Sequence, residues 1–290
     1  MKSGKRRASN LAFSALHFAL CAFHFPSPPL ELTRSTGYVV AQEFQRKDGN
    51  GTIMGLQSCI KENSRRISDD AAGSRDYFEL ATTNLSLYRA LHAAAERHAR
   101  GRLLDAGAGR MAYRRMLEEF CASYESLDIA GPAERLDHVA DLQRTGLPDA
   151  QYDSVFCAQV LHHLPEPEPA LREIARMLKP GGKAILSVPH LVWLHNEPHD
   201  YWRFTGHGLR HLVEKVGLRL VSVEPVGGLI CFLAYAPSTA ALALLRPVRP
   251  AFRAGLWMNR LFIRLALLAD RWFGVKSLYP TNFIVVAEKP

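Results

Sequence analysis

No disulfide framework is within reach of this chain. Its five cysteines (Cys21, Cys59, Cys121, Cys157 and Cys231) are odd in number, widely scattered and never spaced as C-x-x-C. That excludes a cross-linked secreted scaffold and a thiolate zinc site, and it suits a reducing compartment. An internal repeat is also missing, which sets aside repeat architectures. The middle of the chain lacks positive charge: Ala71 to Val226 carries eighteen Lys/Arg against twenty Asp/Glu. A nucleic-acid enzyme more often places its basic patch around the active site, so no nucleic-acid partner is expected. Acids are missing before Glu31 and scarce after Gly227, where two stand against eight Lys/Arg. Both ends are therefore basic around a slightly acidic centre.

What is present suits one α/β domain with extensions. The chain has 290 residues, of which 48% are hydrophobic, enough to bury a sizeable core. Strand and helix signals alternate regularly from Arg102 onward. Strands are expected at Arg102–Ala106, Tyr124–Ile129, His138–Leu142, Ser154–Gln159, Ala184–Val188, Leu218–Pro225 and Asn282–Ala287. Helices are expected near Tyr113–Phe120, Pro169–Leu178 and Thr205–Val216, with a stop at Lys179-Pro180-Gly181-Gly182 and a cap at Thr205. An amphipathic helix is expected over Tyr77–Ala99. Such alternation calls for a mostly parallel sheet with helices on both faces and ligands at the strands' carboxyl ends.

The sharpest signal is R-L-L-D-A-G-A-G-R-M-A-Y-R-R-M, from Arg102 to Met116. A short apolar strand ends on Asp105, and Ala106, Gly107 and Gly109 form a tight turn into a helical segment. Glycine lets the backbone press against a ligand, and amides at the start of a helix attract an anion. Read literally, G-A-G-R-M-A also fits the dinucleotide pattern, which keeps an NAD-dependent oxidoreductase open. Asp105 argues against it, because a carboxylate there repels a pyrophosphate and attracts a sulfonium or ammonium group.

Further segments follow in order: S-L-D-I-A, H-V-A-D-L, L-P-D-A-Q-Y-D-S-V-F-C-A-Q-V-L-H-H-L and L-K-P-G-G-K-A-I-L-S-V-P. With D-A-G-A-G they resemble the class I S-adenosylmethionine-dependent methyltransferases of the small-molecule branch, over about Tyr77 to Gly228 with a return near Thr281 to Lys289. The resemblance implies a Rossmann-like, seven-stranded, mostly parallel sheet whose last strand is antiparallel. It implies S-adenosyl-L-methionine as cofactor and a transferase acting on a small-molecule or lipid-linked acceptor. Methylation of a quinone-like ring and a non-catalytic cofactor-binding scaffold are the alternatives.

The resemblance also suggests roles. Asp128 accepts from both ribose hydroxyls, or caps a helix; Ile129 beside it faces the adenine. Asp141 accepts from the adenine amino group, with Leu142 as its backbone neighbour, or is an exposed loop acid. Asp105 steers the cofactor's ammonium group, and Gln159 stands where the fourth strand meets the cofactor. Met111 departs from the pattern, since many members carry a third glycine there, and it narrows the approach unless it points outward. His162 and His163 follow the fourth strand, where either ring can take a proton from a hydroxyl acceptor or pack the loop. The stretch H-N-E-P-H-D-Y-W-R-F-T after the fifth strand resembles a subset associated with polysaccharide or lipid-linked glycan pathways. It makes His195, His199, Asp200, Tyr201 and Arg203 candidates for the acceptor pocket, with His199 a further candidate in catalysis. The plainer reading is a loop whose Trp202 and Phe204 plug the core.

The flanks are harder to read. Residues 1–73 form a basic extension expected to be poorly ordered, with Gly49–Asp70 as a disordered linker and Met54 a possible alternative start. Lys2, Lys5, Arg6 and Arg7 precede an apolar run from Leu11 to Phe25, as in a targeting or signal segment. His17 and His24 within the run, and the want of a small-x-small cleavage site, speak against cleavage. Residues 74–290 form the methyltransferase domain, and 227–275 a hydrophobic helical insertion in which Arg253, Arg260, Arg264 and Arg271 recur among apolar residues. Its first piece is borderline for a membrane span of ~20 apolar residues. A single crossing would also leave Asn282–Ala287 on the wrong side of the bilayer. A hairpin lying on an anionic membrane is one reading, and a pocket cap or homodimer face is the other. Cytoplasmic location, with peripheral association at the inner membrane surface, follows from the cofactor and the first of these.

Overall fold

The structure, a computed structural model, describes residues 56–71, 74–129, 136–194, 198–273 and 275–290. The basic and apolar N-terminal stretch, Met54 and His195 lie outside those residues. Seven strands, β1 (Arg102–Ala106), β2 (Ser123–Asp128), β3 (His138–Val139), β4 (Tyr152–Ala158), β5 (Leu178–Pro189), β6 (Arg219–Val226) and β7 (Asn282–Glu288), form one sheet in the order β3-β2-β1-β4-β5-β7-β6. The pairings from β3 through β5 are parallel. β7 runs antiparallel between β5 and β6, as expected. β1 pairs with both β2 and β4, so chain order reverses there and a crevice opens at its carboxyl end.

Neighbouring residues on each central strand feed opposite faces, as a two-residue period demands. Leu104, Val155, Leu186 and Val285 join one apolar cluster. Leu103, Phe156, Ile185 and Ile284 join the other. Each fully buried side chain of this size contributes about 1.5–3 kcal/mol. The outer strands are pinned by a polar knot around Glu125, which accepts from Arg102 at 2.6 Å, His138 at 2.9 Å and Tyr152 at 2.9 Å. Burial alone would raise this carboxyl, but the three donors hold it down at about 2.

Several elements differ from the sequence expectation. The helix after the glycine turn is a single turn, Arg114–Leu117, and β3 is two residues long because the chain bends at Asp141. The helix at Pro167–Met177 ends before Lys179-Pro180-Gly181-Gly182, but that stretch lies inside β5 rather than in a loop. It is tied there by Lys179 on Asp153 at 2.8 Å and by the Gly181 amide on the Lys289 carbonyl at 2.8 Å. The helix over Gly206–Lys215 carries the expected cap, the Thr205 hydroxyl accepting from the Gly208 amide at 3.1 Å.

The larger correction concerns the expected linker. Leu56–Ala71 is a helix, here α1, with Cys59, Asn63 and Ile67 buried. The Asn63 side chain donates to the Ala243 carbonyl at 3.1 Å, and Ile67 joins Leu80 and Leu242 in a third apolar cluster. The stretch is polar by composition, but its few apolar residues share one face and Arg65 and Arg66 pair with Glu62 along another. Helix α2 (Thr82–His98) then crosses the sheet where an amphipathic helix was expected.

The insertion is a helical hairpin, α3 (Leu229–Leu245) and α4 (Arg249–Phe273). α3 runs through Pro237, and the Ser238 and Thr239 hydroxyls both donate to the Tyr235 carbonyl at 3.0 Å. Its first amides have no local cap. Instead Asp270, buried on α4, accepts from the Ile230 and Cys231 amides at 3.1 and 3.2 Å. Gly228 makes room for that acid: a Cβ there would stand 2.7 Å from Asp270 Oδ1. Among the described residues, no helix is long and apolar enough to cross a membrane.

Candidate functional site

The site begins where β1 ends. Asp105 is buried at the last-but-one position of the strand and accepts from the Tyr124 hydroxyl at 2.8 Å. The chain then turns through Gly107, whose φ is +82° and whose missing Cβ would stand 2.2 Å from Val160 Cγ2. No other residue suits that position, because it needs both the left-handed backbone and the empty space. The Gly107 and Ala108 amides donate to the Leu127 carbonyl at 2.7 and 3.0 Å. The Gly109 amide donates to Asp128 Oδ2 at 2.8 Å. The glycine turn is thus tied to the end of β2, and the Asp128 carboxylate serves the loop rather than a helix cap. Ile129, next along, is 66% exposed.

A cavity of about 300 Å³ lies against this turn, lined in part by Asp105, Gly107, Ala108, Tyr113 and Gln159. Burial pushes the Asp105 carboxyl up to about 7; the Tyr124 bond opposes the rise and the Asp128 charge adds to it. A half-protonated buried acid facing a cavity is a receptor for a cation, which would restore its charge. Gln159 holds its place with a φ of +59°, its amide on the Ser187 carbonyl at 2.9 Å and its side chain on the Ser187 hydroxyl at 3.2 Å.

Residues 104–186 match the sequence profile of the family described as "Methyltransferase domain". This stretch is similar to a methyltransferase domain. A ubiquinone biosynthesis O-methyltransferase of Xanthomonas oryzae is 43% identical over 56 residues, 19% of this chain and 22% of that protein. A ubiquinone/menaquinone biosynthesis C-methyltransferase of Laribacter hongkongensis is 34% identical over 67 residues, 23% of this chain and 28% of its own length. The chain thus spans about a quarter of the length of these curated relatives. Haemonchus contortus phosphoethanolamine N-methyltransferase 2, solved with phosphomonomethylethanolamine and S-adenosylhomocysteine, superposes with a TM-score of 0.51 at 14% identity. It does so over 82% of this chain and 61% of that one. At that identity the likeness is one of fold.

The cavity also has wall residues that sequence reading missed. Ser68 and Asp69 of α1 and Tyr77 line the same cavity. Arg110, inside the glycine turn, donates to the Asp69 carbonyl at 3.0 Å and pairs with its carboxylate at 3.3 Å. The signal was present in R-R-I-S-D-D, but it reads as a helix only once Cys59, Ile67 and their spacing are set against the hairpin. Met111 was expected to narrow the approach or to point outward; Arg110 and Ala112 line the cavity and Met111 does not, which fits the second. Its φ of +56° is the conformation for which a glycine is better suited.

Asp141 sits just beyond β3 and accepts from the Gln143 amide at 2.9 Å, so its carboxylate shapes the turn at the sheet's edge. Leu142 is buried in the apolar cluster with Leu104 and Val155. Ala106 is fully buried at the strand end.

The loops that follow β4 and β5 meet. The Tyr201 amide donates to the His162 carbonyl at 2.9 Å, and His163 Nδ1 meets the His199 carbonyl oxygen. Trp202 Nε1 donates to the Leu164 carbonyl at 3.0 Å. The rings of His162 and His163 lie 3.8 Å apart, His162 fully buried and His163 half-buried. His199 is exposed, 3.3 Å from the Tyr201 hydroxyl. Asp200 and Arg203, candidates for acceptor contact, face each other instead. Arg203 grips both oxygens of the buried Asp200 carboxylate at 2.6 and 2.7 Å and reaches the Trp193 carbonyl at 3.1 Å. They brace the loop. His162, His163 and Asp200 have ligand atoms within 4.8 Å of one another, but the guanidinium on Asp200 makes this a poor seat for a cation. Phe204 is buried and Trp202 is 44% exposed, so only one of the two plugs the core.

Proposed function

We propose that this chain transfers a methyl group from S-adenosylmethionine to an oxygen of a small or lipid-linked acceptor, met at an anionic membrane face. The observation that carries the reading is the cavity at the Asp105-to-Gly107 turn, walled by Ser68, Asp69 and Tyr77 and by Ala158 and Gln159 at the end of β4, just before the histidine loop. Val160 packs on Gly107 at one end of that loop, and His163 follows three residues later.

In this reading Asp105 receives the cofactor's ammonium group and the Gly107–Gly109 turn receives its carboxylate. Asp128 takes the ribose hydroxyls, Ile129 lies against the adenine, and Asp141 with the Leu142 backbone takes its amino edge. Gln159 stands beside the sulfonium. The acceptor oxygen attacks the methyl carbon in line, the carbon–sulfur bond breaks, and its electron pair leaves on sulfur as S-adenosylhomocysteine. Alignment supplies most of the acceleration, with reacting atoms ~3 Å apart. The hydroxyl proton passes to His163, the half-buried ring, rather than to the enclosed His162. His199 and Tyr201 line the acceptor side. His195, also a candidate there, lies outside the described residues.

A quinone-like aromatic acceptor is the second reading. It is favoured by the curated matches named for ubiquinone and menaquinone biosynthesis and by the aromatic pair Trp193 and Tyr235, 4.5 Å apart where the loop after β5 meets α3. Incubation with methyl-labelled cofactor and fractionated polar and lipid extracts tests both. Label in a methyl ether or ester on a non-aromatic product, falling about 10²-fold or more in His163→Ala, supports the first; label on a quinone-like ring, at carbon or at a ring oxygen, supports the second. Cofactor binding without transfer to any fraction would leave a non-catalytic scaffold.

A further inference from the structure

Helix α4 is amphipathic in an unusual sense, because its outward face is apolar. Asn259, Ile263, Ala266 and Asp270 face the protein. On the opposite side Trp257 is 67% exposed, Leu261 48%, Leu265 56%, Leu268 51% and Trp272 82%. At 100° per residue these form one continuous stripe. Arg253, Arg260, Arg264 and Arg271, spaced seven, four and seven residues apart, form a row along one edge of it. Monomers seldom leave so long an apolar stripe bare.

Beside that edge a groove of about 430 Å³ opens between α2 and α4, lined in part by Arg89, His92, Arg264 and Glu79. Its one acid is already engaged, Glu79 holding Arg260 at 2.9 Å and Arg264 more distantly at 3.7 Å. Arg89 is exposed and carries no ion pair among the described residues. The groove therefore has a surplus of positive charge next to an apolar surface, the pattern that a phosphate head on an acyl chain matches.

We propose that this face seats on an anionic phospholipid bilayer, the α4 stripe entering the headgroup–acyl boundary and the Arg89–His92–Arg264 groove taking a lipid phosphate. The proposal rests on the membrane clause of the function above and names the element and the headgroup site. A second copy of the chain is the weaker occupant on charge. Asp270 is the one acid between residues 227 and 287, and it is buried, while Asp76 and Glu79 are already engaged by Arg260 and Arg264, so self-association of the hairpins would bring Arg253 and Arg271 together with no acid of the hairpin to pair them. Trp193 packs on Tyr235 of α3, and Arg203 holds the Trp193 carbonyl. The docking hairpin and the acceptor loop are thus in direct contact, which suits an acceptor drawn from the same membrane.

The test is flotation of the full chain with phosphatidylcholine vesicles, with and without phosphatidylglycerol. The wild type is expected to float with the anionic vesicles and to be released by salt. Arg89→Gln with Arg264→Gln should weaken that partition roughly ten- to thirty-fold. Trp257→Ser with Trp272→Ser should abolish it; both side chains are exposed, and unchanged melting would show that the fold is kept. If the wild type fails to float on anionic vesicles, membrane docking falls, whereas methyl transfer to a water-soluble acceptor would be untouched. If the arginine variant floats as well as the wild type, the groove assignment falls while docking stands. A stable dimer that the tryptophan variant dissociates, with no flotation, would make the face a subunit interface and overturn the proposal.

Discussion

The cofactor cradle and the helical hairpin are built by opposite means. In the cradle, main chain and short side chains do the work within a span of 24 residues, Asp105 to Asp128: a strand end, two glycines and one carboxylate on a backbone amide. In the hairpin, single polar groups reach across the chain. Asn63 holds Ala243, Thr82 holds the Cys231 carbonyl at 2.7 Å, and Asn259 holds the Leu80 carbonyl at 3.0 Å. Asp270 caps a helix about forty residues away in sequence. The cradle is set by what the backbone must do against a ligand. The hairpin is set by what each helix end and gap happens to need.

Paired glycine substitutions should break the two regions separately. Gly107→Ala meets both a left-handed φ and the Val160 side chain, a combined cost of about 2–5 kcal/mol. Cofactor binding should disappear and the melting temperature drop. Gly228→Ala pushes only on Asp270 and should cost about 1–3 kcal/mol while leaving cofactor affinity within about twofold. Calorimetry and thermal melting on both variants check this, and loss of binding in Gly228→Ala would mean that the regions are coupled.

A chain beginning at Ser74 sharpens the comparison, because α1 belongs to both regions. Its loss bares Leu242, leaves the Ala243 carbonyl without the Asn63 amide, and removes Ser68 and Asp69 from the cavity wall. We expect a folded sheet that is about 2–4 kcal/mol less stable and binds cofactor roughly tenfold more weakly. Unchanged melting and affinity would make α1 an ornament.

How much was legible follows the same division. The glycine turn and the Thr205 cap could be read because each is a local pattern, whereas the antiparallel last strand came with the family resemblance rather than from its own residues. The bend at Asp141 that shortens β3, and the bracing of Asp200 by Arg203, are equally local but have two uses apiece, and the sequence does not choose between them. Helix α1 was misread because composition counts polar residues, whereas folding asks only that Cys59, Asn63 and Ile67 share a face with a partner. That partner is the hairpin, some 180 residues on.

The central claim is that Asp105 faces a cationic cofactor. In the free protein its raised pKa means that the folded state holds a proton the unfolded chain would release between pH 3.8 and about 7. Its contribution to stability therefore falls as pH rises through that window and is level above it. Binding a cation reverses the preference, since the ionised form is then favoured and the proton is expelled. The decisive measurement is calorimetric titration with S-adenosylmethionine and with NAD from about pH 5.5 to about pH 8, on wild type and Asp105→Asn. The account predicts that S-adenosylmethionine affinity rises about tenfold per pH unit below about 7 and then levels, with proton release. In Asp105→Asn the profile should be weaker and flat, and NAD should fail to bind either protein. A flat wild-type profile, or NAD bound as well as S-adenosylmethionine, would contradict it.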